Sequence, residues 1–498
     1  MHEDFDRCYR AVQSRDARFD GWFVTAVTTT RIYCRPSCPA RAPLARNVTF
    51  YPTAAAAHHA GFRACKRCRP DASPGSPEWD VRQDIVARAM RLIADGVVER
   101  EGVVGLAGRL GYSPRHLERL LLAEVGAGPI ALARANRAQT ARVLVETTGL
   151  TSSEVAFGAG FSSIRQFNDT VRSVFGCTPT ELRARAAASG PRAGARTAGS
   201  LAFRLAFRRP FVPASLFGHL AATAVPGCEE VRAGSYRRTL RLPRGNAIVA
   251  LMPHADHVAC RLTLDDLRDI PVAISRCRRL LDLDADPVAV TGALGADPTL
   301  GPLVALAPGR RIPRTVDGAE MALRVVLGQQ VSTAAARTHA ARLAAAHGTP
   351  IEDPSGGLTR VFPAPELLCD LDPIELAMPR SRRAAFLALS RELADGTLEL
   401  GTGADVARAR HHLAGMAGIG PWTREMIAMR ALGDPDAFPA SDSGVMRGAA
   451  SVGLPVTPAT LLARSRRWHP WRSYAVQYLW AALDHPANRW PPEGPSCN

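Results

Sequence analysis

The sequence lacks the long apolar runs that carry a chain across a membrane. No apolar run reaches the roughly 18 residues that a membrane-spanning helix needs, and the mean hydropathy is -0.05. The first residues, Met1–Asp6, are acidic and have no apolar core, so we expect no secretory signal. These absences predict a cytoplasmic protein without a membrane partner.

Cysteine occurs in a number that does not suit a disulfide framework. The chain has 11 cysteines, an odd count, and no export signal, so metal ligands or reactive thiols are expected instead. Four of them form two close pairs, Cys34-x3-Cys38 and Cys65-x2-Cys68. Two such pairs can complete a tetrahedral site, and we predict one Zn²⁺ ion bound by these four thiolates.

Acidic residues are too few to balance the basic ones. The 62 Lys and Arg residues outnumber the 46 Asp and Glu residues, which gives a net charge of +16 and a pI of about 10.0. Such an excess favours a polyanionic partner, because basic side chains release counterions from phosphates. With 498 residues, the chain is too long for one hydrophobic core, and we expect roughly two to four domains.

Composition and periodicity divide the chain. Residues 71–77 are rich in Pro, Gly and Ser, and residues 186–200 lack both periodicity and apolar bulk, as flexible linkers do. Large apolar residues alternate from Leu201 to Phe207, which indicates a strand, and helical patterning dominates from Val316. We predict a multidomain α+β chain with a small zinc domain, an all-α domain, a linker, an antiparallel β/α subdomain and a second all-α domain, over 1–77, 78–185, 186–200, 201–315 and 316–498.

The cysteine pairs lie in an arginine-rich segment with a specific pattern. It reads Tyr33-Cys-Arg-Pro-Ser-Cys-Pro-Ala-Arg41 and then Gly61-Phe-Arg-Ala-Cys-Lys-Arg-Cys68. From about Asp6 to Pro70, the segment resembles the methylphosphotriester-sensing domain of Ada-type proteins. The resemblance implies that Cys34 accepts a methyl group. We expect DNA contacts from the basic residues of the segment, namely Arg41, Arg46, Arg63, Lys66 and Arg67.

The chemistry of such a transfer is sound. Zinc keeps a thiol deprotonated, and a thiolate is the nucleophile that displaces a methyl group from a phosphotriester. Zn²⁺ with four thiolates carries +2 and four times −1, hence −2, and methylation of one sulfur leaves −1. Weaker repulsion from DNA should tighten binding and switch on transcription. The alternative is a structural zinc without methyl transfer.

Two helix-turn-helix patterns follow, at Val104–Leu120 and Thr151–Asn168. Ser113 is expected to cap the second helix of the first unit, and Ser162 or Ser163 that of the second. The tandem arrangement resembles the AraC-type regulator domain, which implies promoter DNA and RNA polymerase as partners. The implied base contacts come from exposed recognition-helix residues, which could instead be solvated helix faces: Arg115, His116, Arg119, Arg165 and Gln166.

A glycine turn between two helices is predicted at His411–Thr423. Gly418 and Gly420 let backbone amides approach a phosphate, and Pro421 opens a helix whose N-terminus favours an anion. Phe438-Pro-Ala-Ser-Asp442 follows soon after. From about Leu201 to the end, this half resembles the AlkA-type helix-hairpin-helix DNA glycosylases.

The resemblance to AlkA-type glycosylases implies a reaction and its residues. Asp442 would stabilise the oxocarbenium-like sugar and help a water attack it while an alkylated purine leaves. The implied base pocket contains Trp422, Trp480, Gln329, Met426 and His219, of which Met426 and His219 replace aromatic residues of AlkA. Gly418, Gly420 and Thr423 would grip the DNA backbone, and the hairpin is also a candidate site for a monovalent cation.

Three features of related protein families are missing from this sequence, and each absence narrows the expected activity. Trp422 stands where lyase-type relatives have a lysine, so we expect a monofunctional DNA-3-methyladenine glycosylase without a Schiff base. Only Cys497 lies near the C-terminus, so no iron-sulfur cluster is expected. The Pro-Cys-His core of the Ada-type alkylguanine methyltransferase domain is absent. We expect a monomeric, nucleoid-associated activator and repair enzyme on double-stranded DNA; the alternative is a regulator whose second half only clamps DNA.

Overall fold

The computed structural model describes residues 2–16, 19–65, 67–68, 70, 85–188, 200–372 and 376–490. The predicted boundary at 71–77, most of the linker 186–200, and the residues Lys66 and Cys497 lie outside these ranges. The predicted multidomain α+β class is confirmed, because helical regions alternate with two separate larger sheets. Within the described ranges, no helix combines the length and apolar character needed to cross a membrane.

The N-terminal region is a four-stranded sheet with two helices. The strands are ordered β3-β1-β2-β4, and β2 runs parallel to β4 with Tyr33 opposite Ala64. This pairing brings the ends of β2 and β4 side by side. Thr53 accepts a hydrogen bond from the Ala56 amide and caps the second helix. The elements are α1 Phe5–Gln13, β1 Val24–Val27, β2 Ile32–Cys34, β3 Val48–Tyr51, α2 Ala54–His59 and β4 Arg63–Ala64.

Seven helices form the next region and contain both predicted helix-turn-helix units. Ser113 caps α5, and of the two candidates it is Ser163 that caps α8. Gly102 has φ +70° and breaks α4, so the first unit begins after it. The helices are α3 Ile85–Ala94, α4 Val97–Leu110, α5 Pro114–Val125, α6 Pro129–Thr147, α7 Ser152–Gly158, α8 Ile164–Phe175 and α9 Pro179–Ala188.

The predicted strands after the linker form a five-stranded antiparallel sheet in the order β5-β9-β8-β7-β6. Its apolar face packs on helices α10 and α11, with Phe217, Tyr236 and Ile270 fully buried. The elements are β5 Leu201–Leu205, α10 Pro213–Ala222, β6 Glu229–Arg232, β7 Ser235–Leu242, β8 Gly245–Pro253, β9 Val258–Leu264, α11 Ile270–Leu280, α12 Pro287–Gly295 and α13 Gly301–Leu306.

The remaining region is a helical bundle with a two-stranded ribbon. Its core contains Leu323, Phe386, Ile427 and Tyr474. The elements are α14 Gly318–Leu327, α15 Thr333–His347, β10 Thr349–Pro350, β11 Arg360–Val361, α16 Arg380–Ala394, α17 Val406–Gly415, α18 Pro421–Ile427, α19 Ser443–Ser451, α20 Pro458–Ser465 and α21 Arg472–Ala481.

Asp317 and Glu320 have the spacing of a capping box at the start of α14, but only half of the box is formed. The Asp317 carboxylate accepts from the Ala319 and Glu320 amides, but the Glu320 carboxylate lies 2.8 Å from both Arg238 and Arg324. Glu229 completes this buried network, 2.9 Å from Arg324. Burial opposes ionisation of Glu229, and the Arg324 and Arg238 guanidinium groups lower its pKa to about 2. Buried charges need such partners, so the network outcompetes the cap.

The helical region of residues 85–188 is in contact with the C-terminal half of the chain. Arg88 Nε donates to the Gly403 carbonyl and Arg91 Nε to the Thr402 carbonyl, both at 2.9 Å. On the other side, α7 packs against the turn Leu267–Asp269 that precedes α11. These contacts use helices α3 and α7 and leave the second helix of each helix-turn-helix unit outside them.

Candidate metal centre and C-terminal cleft

The four predicted metal ligands come together at one edge of the N-terminal sheet. Cys34 ends β2, and Cys65 follows β4, whose parallel pairing continues through a 2.9 Å bond from the Cys65 amide to the Tyr33 carbonyl. All four sulfur atoms lie within 4.8 Å of one another. A tetrahedral ion with Zn–S bonds of about 2.3 Å requires sulfur–sulfur edges of about 3.8 Å, so the cluster fits zinc.

The donor set also needs a cation for electrostatic reasons. Hydrogen bonds among the sulfurs, followed by burial, raise the pKa of the Cys34 thiol. A bound Zn²⁺ would supply the positive charge that keeps all four sulfurs as thiolates. We therefore assign one Zn²⁺ ion to Cys34, Cys38, Cys65 and Cys68, as the sequence predicted.

The four cysteines differ in exposure as whole residues. Cys38 and Cys68 are 9% and 4% exposed, whereas Cys34 and Cys65 are half-buried. A methyl acceptor must be approached by its donor, so residue exposure favours Cys34 and Cys65 over the other two. The sequence resemblance favours Cys34.

A residue that the sequence analysis missed holds the loop between the first two cysteines. The Asp20 carboxylate accepts hydrogen bonds from the Ser37 amide at 3.0 Å and the Ser37 hydroxyl at 2.5 Å. It also lies 3.5 Å from the Arg35 guanidinium. Burial raises the pKa of Asp20. No motif surrounds this aspartate, so only its tertiary position reveals the role.

The basic residues around the cluster differ in exposure. Arg41, Arg46 and Arg67 are exposed, as a phosphate contact requires. Arg63 is half-buried, and its side chain lies against Gly176 at the end of α8. Arg63 therefore sits between the zinc region and the second helix-turn-helix unit.

The expected recognition-helix residues lie on two separate helices. Arg115 and Arg119 are exposed on α5, and Arg165 and Gln166 are exposed on α8. His116 is half-buried and stacks on Tyr112 with 4.9 Å between ring centroids. Gln166 Oε1 also accepts hydrogen bonds from the amide and hydroxyl of Ser162. Part of its hydrogen-bonding capacity is therefore already used within the turn.

In the C-terminal half, Asp442 accepts three N–H donors. It caps α19 through a 2.9 Å bond from the Val445 amide. The indole nitrogens of Trp422 and Trp480 donate to its two carboxylate oxygens at 3.0 and 2.9 Å. The sequence predicted these three side chains separately, and the structure joins them in one hydrogen-bonded group.

Close helix packing makes this group possible. Gly448 on α19 lies against the Leu479 carbonyl of α21, where any Cβ atom would collide with the backbone. A Cβ atom on Gly444 would lie 3.0 Å from the Trp480 indole nitrogen. Glycine at these positions lets α21 carry Trp480 up to Asp442.

The glycine hairpin lies beside the same group. Gly418 has φ +82°, and both Gly418 and Gly420 are exposed. Gln329 Nε2 donates to the Gly418 carbonyl at 3.0 Å and to the Thr423 hydroxyl at 2.9 Å. Thr423 is only 3% exposed as a whole residue. Its contact with the DNA backbone stays a prediction.

All five predicted pocket residues line one cleft of about 1230 Å³, together with Asp442: Trp422, Trp480, Gln329, Met426 and His219. Arg430, which no sequence pattern singled out, lines the same cleft. Its guanidinium donates to His219 Nε2 at 2.9 Å. Arg430 lies in a helical turn after the hairpin, where an arginine gives no sequence signal.

Comparison with known proteins identifies the family. The probable bifunctional transcriptional activator/DNA repair enzyme AlkA of Mycobacterium tuberculosis is 65% identical over 493 residues, which is 99% of each chain. The chain belongs to this family of bifunctional AlkA-type activator and repair proteins.

Other relatives match one half of the bifunctional chain each. DNA-3-methyladenine glycosylase 2 of Escherichia coli is 33% identical over 56% of this chain and 96% of its own. The bifunctional transcriptional activator/DNA repair enzyme Ada of E. coli is 38% identical over 36% of this chain and 49% of its own. The resemblances to AlkA-type glycosylases and to Ada-type proteins are confirmed.

Three domain families match in the order that the sequence suggested. The metal binding domain of Ada matches residues 7–71, a helix-turn-helix domain matches residues 106–185, and the AlkA N-terminal domain matches residues 202–317. The four-cysteine cluster falls inside the first match and both recognition helices inside the second. Asp442 lies beyond the third match, in the helical region that follows it.

Proposed function

We propose that this protein reads and repairs DNA alkylation with two separate reactive groups. Cys34 accepts a methyl group from a DNA methylphosphotriester and thereby activates transcription. The C-terminal half releases alkylated purines of the 3-methyladenine type by hydrolysis of the N-glycosidic bond. The observation that carries the second activity is Asp442, held by the indoles of Trp422 and Trp480 at the wall of a cleft.

The geometry supports a dissociative base release. A flipped nucleotide would enter the cleft, at a cost of a few kcal/mol for unstacking. The bond between C1′ and the base nitrogen breaks, and its electron pair leaves with the base. The Asp442 carboxylate stabilises the sugar cation electrostatically. A water oxygen then bonds to C1′ and gives its proton to solvent.

The lysine content supports a monofunctional reaction. Lys66 is the only lysine in the sequence and belongs to the zinc segment. The described lining of the C-terminal cleft contains no lysine side chain. A Schiff base with the sugar needs an amine, so we propose that the abasic strand stays intact after base release.

The zinc segment supports the transfer of a methyl group to one sulfur. The Cys34 sulfur bonds to the methyl carbon, the bond from that carbon to the phosphotriester oxygen breaks, and a phosphodiester anion leaves. The product cysteine is a thioether, so the step is a single turnover. Arg41, Arg46 and Arg67 surround this region with positive charge that suits a DNA backbone.

Regulation and assembly follow the same proposal. The exposed residues Arg115, Arg119, Arg165 and Gln166 would contact promoter bases, and RNA polymerase would be the protein partner. We propose that the chain acts as a monomer on chromosomal DNA in the nucleoid. The hairpin carbonyls beside Gly418 remain a candidate site for a monovalent cation.

Replacement of Asp442 by asparagine tests the repair activity. An amide has nearly the same shape and can still cap α19, but it offers no negative charge to the sugar cation. Release of methylated purines should fall by about two orders of magnitude or more. Base release and strand integrity are measured on methylated duplex DNA, with DNA affinity as control. Near-normal release by Asp442→Asn would refute the role, and strand breakage without alkali would refute hydrolysis.

Peptide mass mapping tests the methyl acceptor. After incubation with DNA that carries methylphosphotriesters, we expect one added methyl group, on Cys34. The Cys34→Ser variant should take up none on any cysteine while base release continues. Methylation of Cys65, the other half-buried cysteine, would assign the acceptor to the second cysteine pair instead.

A further inference from the structure

A half-buried histidine and a buried arginine form a pair in the wall of the C-terminal cleft. The His219 ring stacks on Trp480 with 5.9 Å between centroids and 18° between planes. The Arg430 guanidinium donates to His219 Nε2 at 2.9 Å. Trp480 in turn donates to Asp442. The four side chains therefore form a continuous row from Asp442 to Arg430.

The hydrogen bond defines the protonation of His219. Since Nε2 accepts from Arg430, the ring is neutral and carries its proton on Nδ1, which is its remaining donor. Burial, followed by the nearby Arg430 and Arg324 charges, lowers the pKa of His219 well below its ordinary value. The stacked ring is therefore neutral, and the positive charge lies behind it on Arg430.

The positive charge behind His219 has no direct ion pair, and the Glu229 carboxylate of the neighbouring buried network acts on it only from a distance. Arg430 is 6% exposed, and its Nε atom has no hydrogen-bond partner. Across the described ranges, no carboxylate forms an ion pair with it, whereas Arg324 is paired with Glu229 and Glu320. Burial lowers the pKa of Arg430 to about 10, so the guanidinium remains charged at neutral pH.

These features act against a cationic base. An aromatic wall attracts a cation through its electron-rich faces. A charged guanidinium one ring away repels that cation, and Arg430 is itself buried from solvent. An uncharged base loses nothing to this repulsion.

We propose that the His219–Arg430 pair sets base specificity, and that it shifts the preference of the cleft towards uncharged purine lesions and away from cationic alkylpurines. The inference rests on the proposed glycosylase activity and extends its substrates beyond alkylated purines. His219 and Arg430 are specificity residues in this proposal, and Asp442 remains the catalytic one.

Single-turnover base release by the full-length protein tests the pair. Two duplexes are compared, one with hypoxanthine, which is uncharged, and one with 7-methylguanine, which is cationic. Both bases carry a carbonyl oxygen at C6, and 7-methylguanine differs in its charge, its N7 methyl group and its 2-amino group. Each variant is therefore judged by how it changes the rate ratio relative to wild type. In His219→Phe, which keeps a stacked ring, the rate ratio of hypoxanthine to 7-methylguanine should fall about tenfold.

Three further variants keep the test decisive. Arg430→Met should shift the ratio in the same direction, even if His219→Phe folds poorly. His219→Gln retains an acceptor for Arg430 and should keep the ratio within about threefold of wild type. His59→Phe makes the same exchange at an exposed position of α2, outside the cleft, and should leave the rate ratio unchanged.

The outcomes separate this proposal from the proposed function. If wild type releases bases, Asp442→Asn does not, and both His219→Phe and Arg430→Met leave the ratio unchanged, the specificity proposal is overturned alone. If wild type releases neither base, the glycosylase function itself fails, and the specificity proposal fails with it.

Discussion

The zinc cluster and the Asp442 cleft are two reactive sites built in opposite ways. The four cysteines come from one short segment, and a single parallel strand pair brings the two cysteine pairs together. The cleft draws His219, Gln329, Asp442 and Trp480 from four distant parts of the chain. A local site can be recognised from residue spacing, whereas an assembled site depends on how helices pack.

The two sites also differ in what each needs to be complete. The thiol cluster needs a cation, because four neighbouring sulfurs cannot all remain ionised without one. The cleft is held by hydrogen bonds within the protein, because indole N–H groups donate to Asp442 and Gln329 donates to the hairpin. Removing the metal should therefore damage one site and spare the other.

Zinc removal gives the largest expected contrast. Chelation of the full-length protein should abolish methyl uptake by Cys34, since the thiolate loses its stabilising cation. Release of methylated purines should stay within about twofold of the untreated protein, because no described cleft residue is a ligand in the cysteine cluster. Both activities are assayed on one sample, with zinc re-addition as control. A parallel loss of base release would mean that the halves are coupled.

Trp480→Phe should give an intermediate effect confined to the assembled site. The ring is kept, but the 2.9 Å hydrogen bond to Asp442 is lost. The carboxylate retains its Trp422 and Val445 donors, so the base-release rate should fall about tenfold and not to the Asp442→Asn level. Trp490→Phe, outside the cleft lining, is the matched control. A rate equal to wild type would show that this hydrogen bond does not orient the carboxylate.

Methylation of Cys34 should give the smallest effect, and it concerns the local site alone. Loss of one negative charge near DNA phosphate corresponds to about 1 kcal/mol in water, or roughly a fivefold gain in affinity. Gel-shift titration at fixed salt compares methylated and unmethylated protein on promoter DNA. Cys34→Ser, exposed to the same methylated DNA, controls for changes elsewhere. Equal affinities would leave the cluster without a switching role.

The sequence predicted most of the individual elements of both sites. Cysteine spacing predicted the metal cluster, serine positions predicted the caps of α5 and α8, and alternation predicted strand β5. The pattern at Asp317 was misleading in one respect. It suggested a reciprocal cap, but Glu320 is drawn into a buried ion network with arginines far away in the chain.

The sequence by itself determined the zinc ligands, the helix-turn-helix units and the hairpin glycines, because each depends on residues that are close in the chain. Only the tertiary structure decided that Trp422 and Trp480 donate to Asp442, that Asp20 holds the Cys34–Cys38 loop, and that Arg430 lies behind His219. These contacts join residues from separate elements. Their partners are chosen by packing and by the need to satisfy buried polar groups, which no local pattern records.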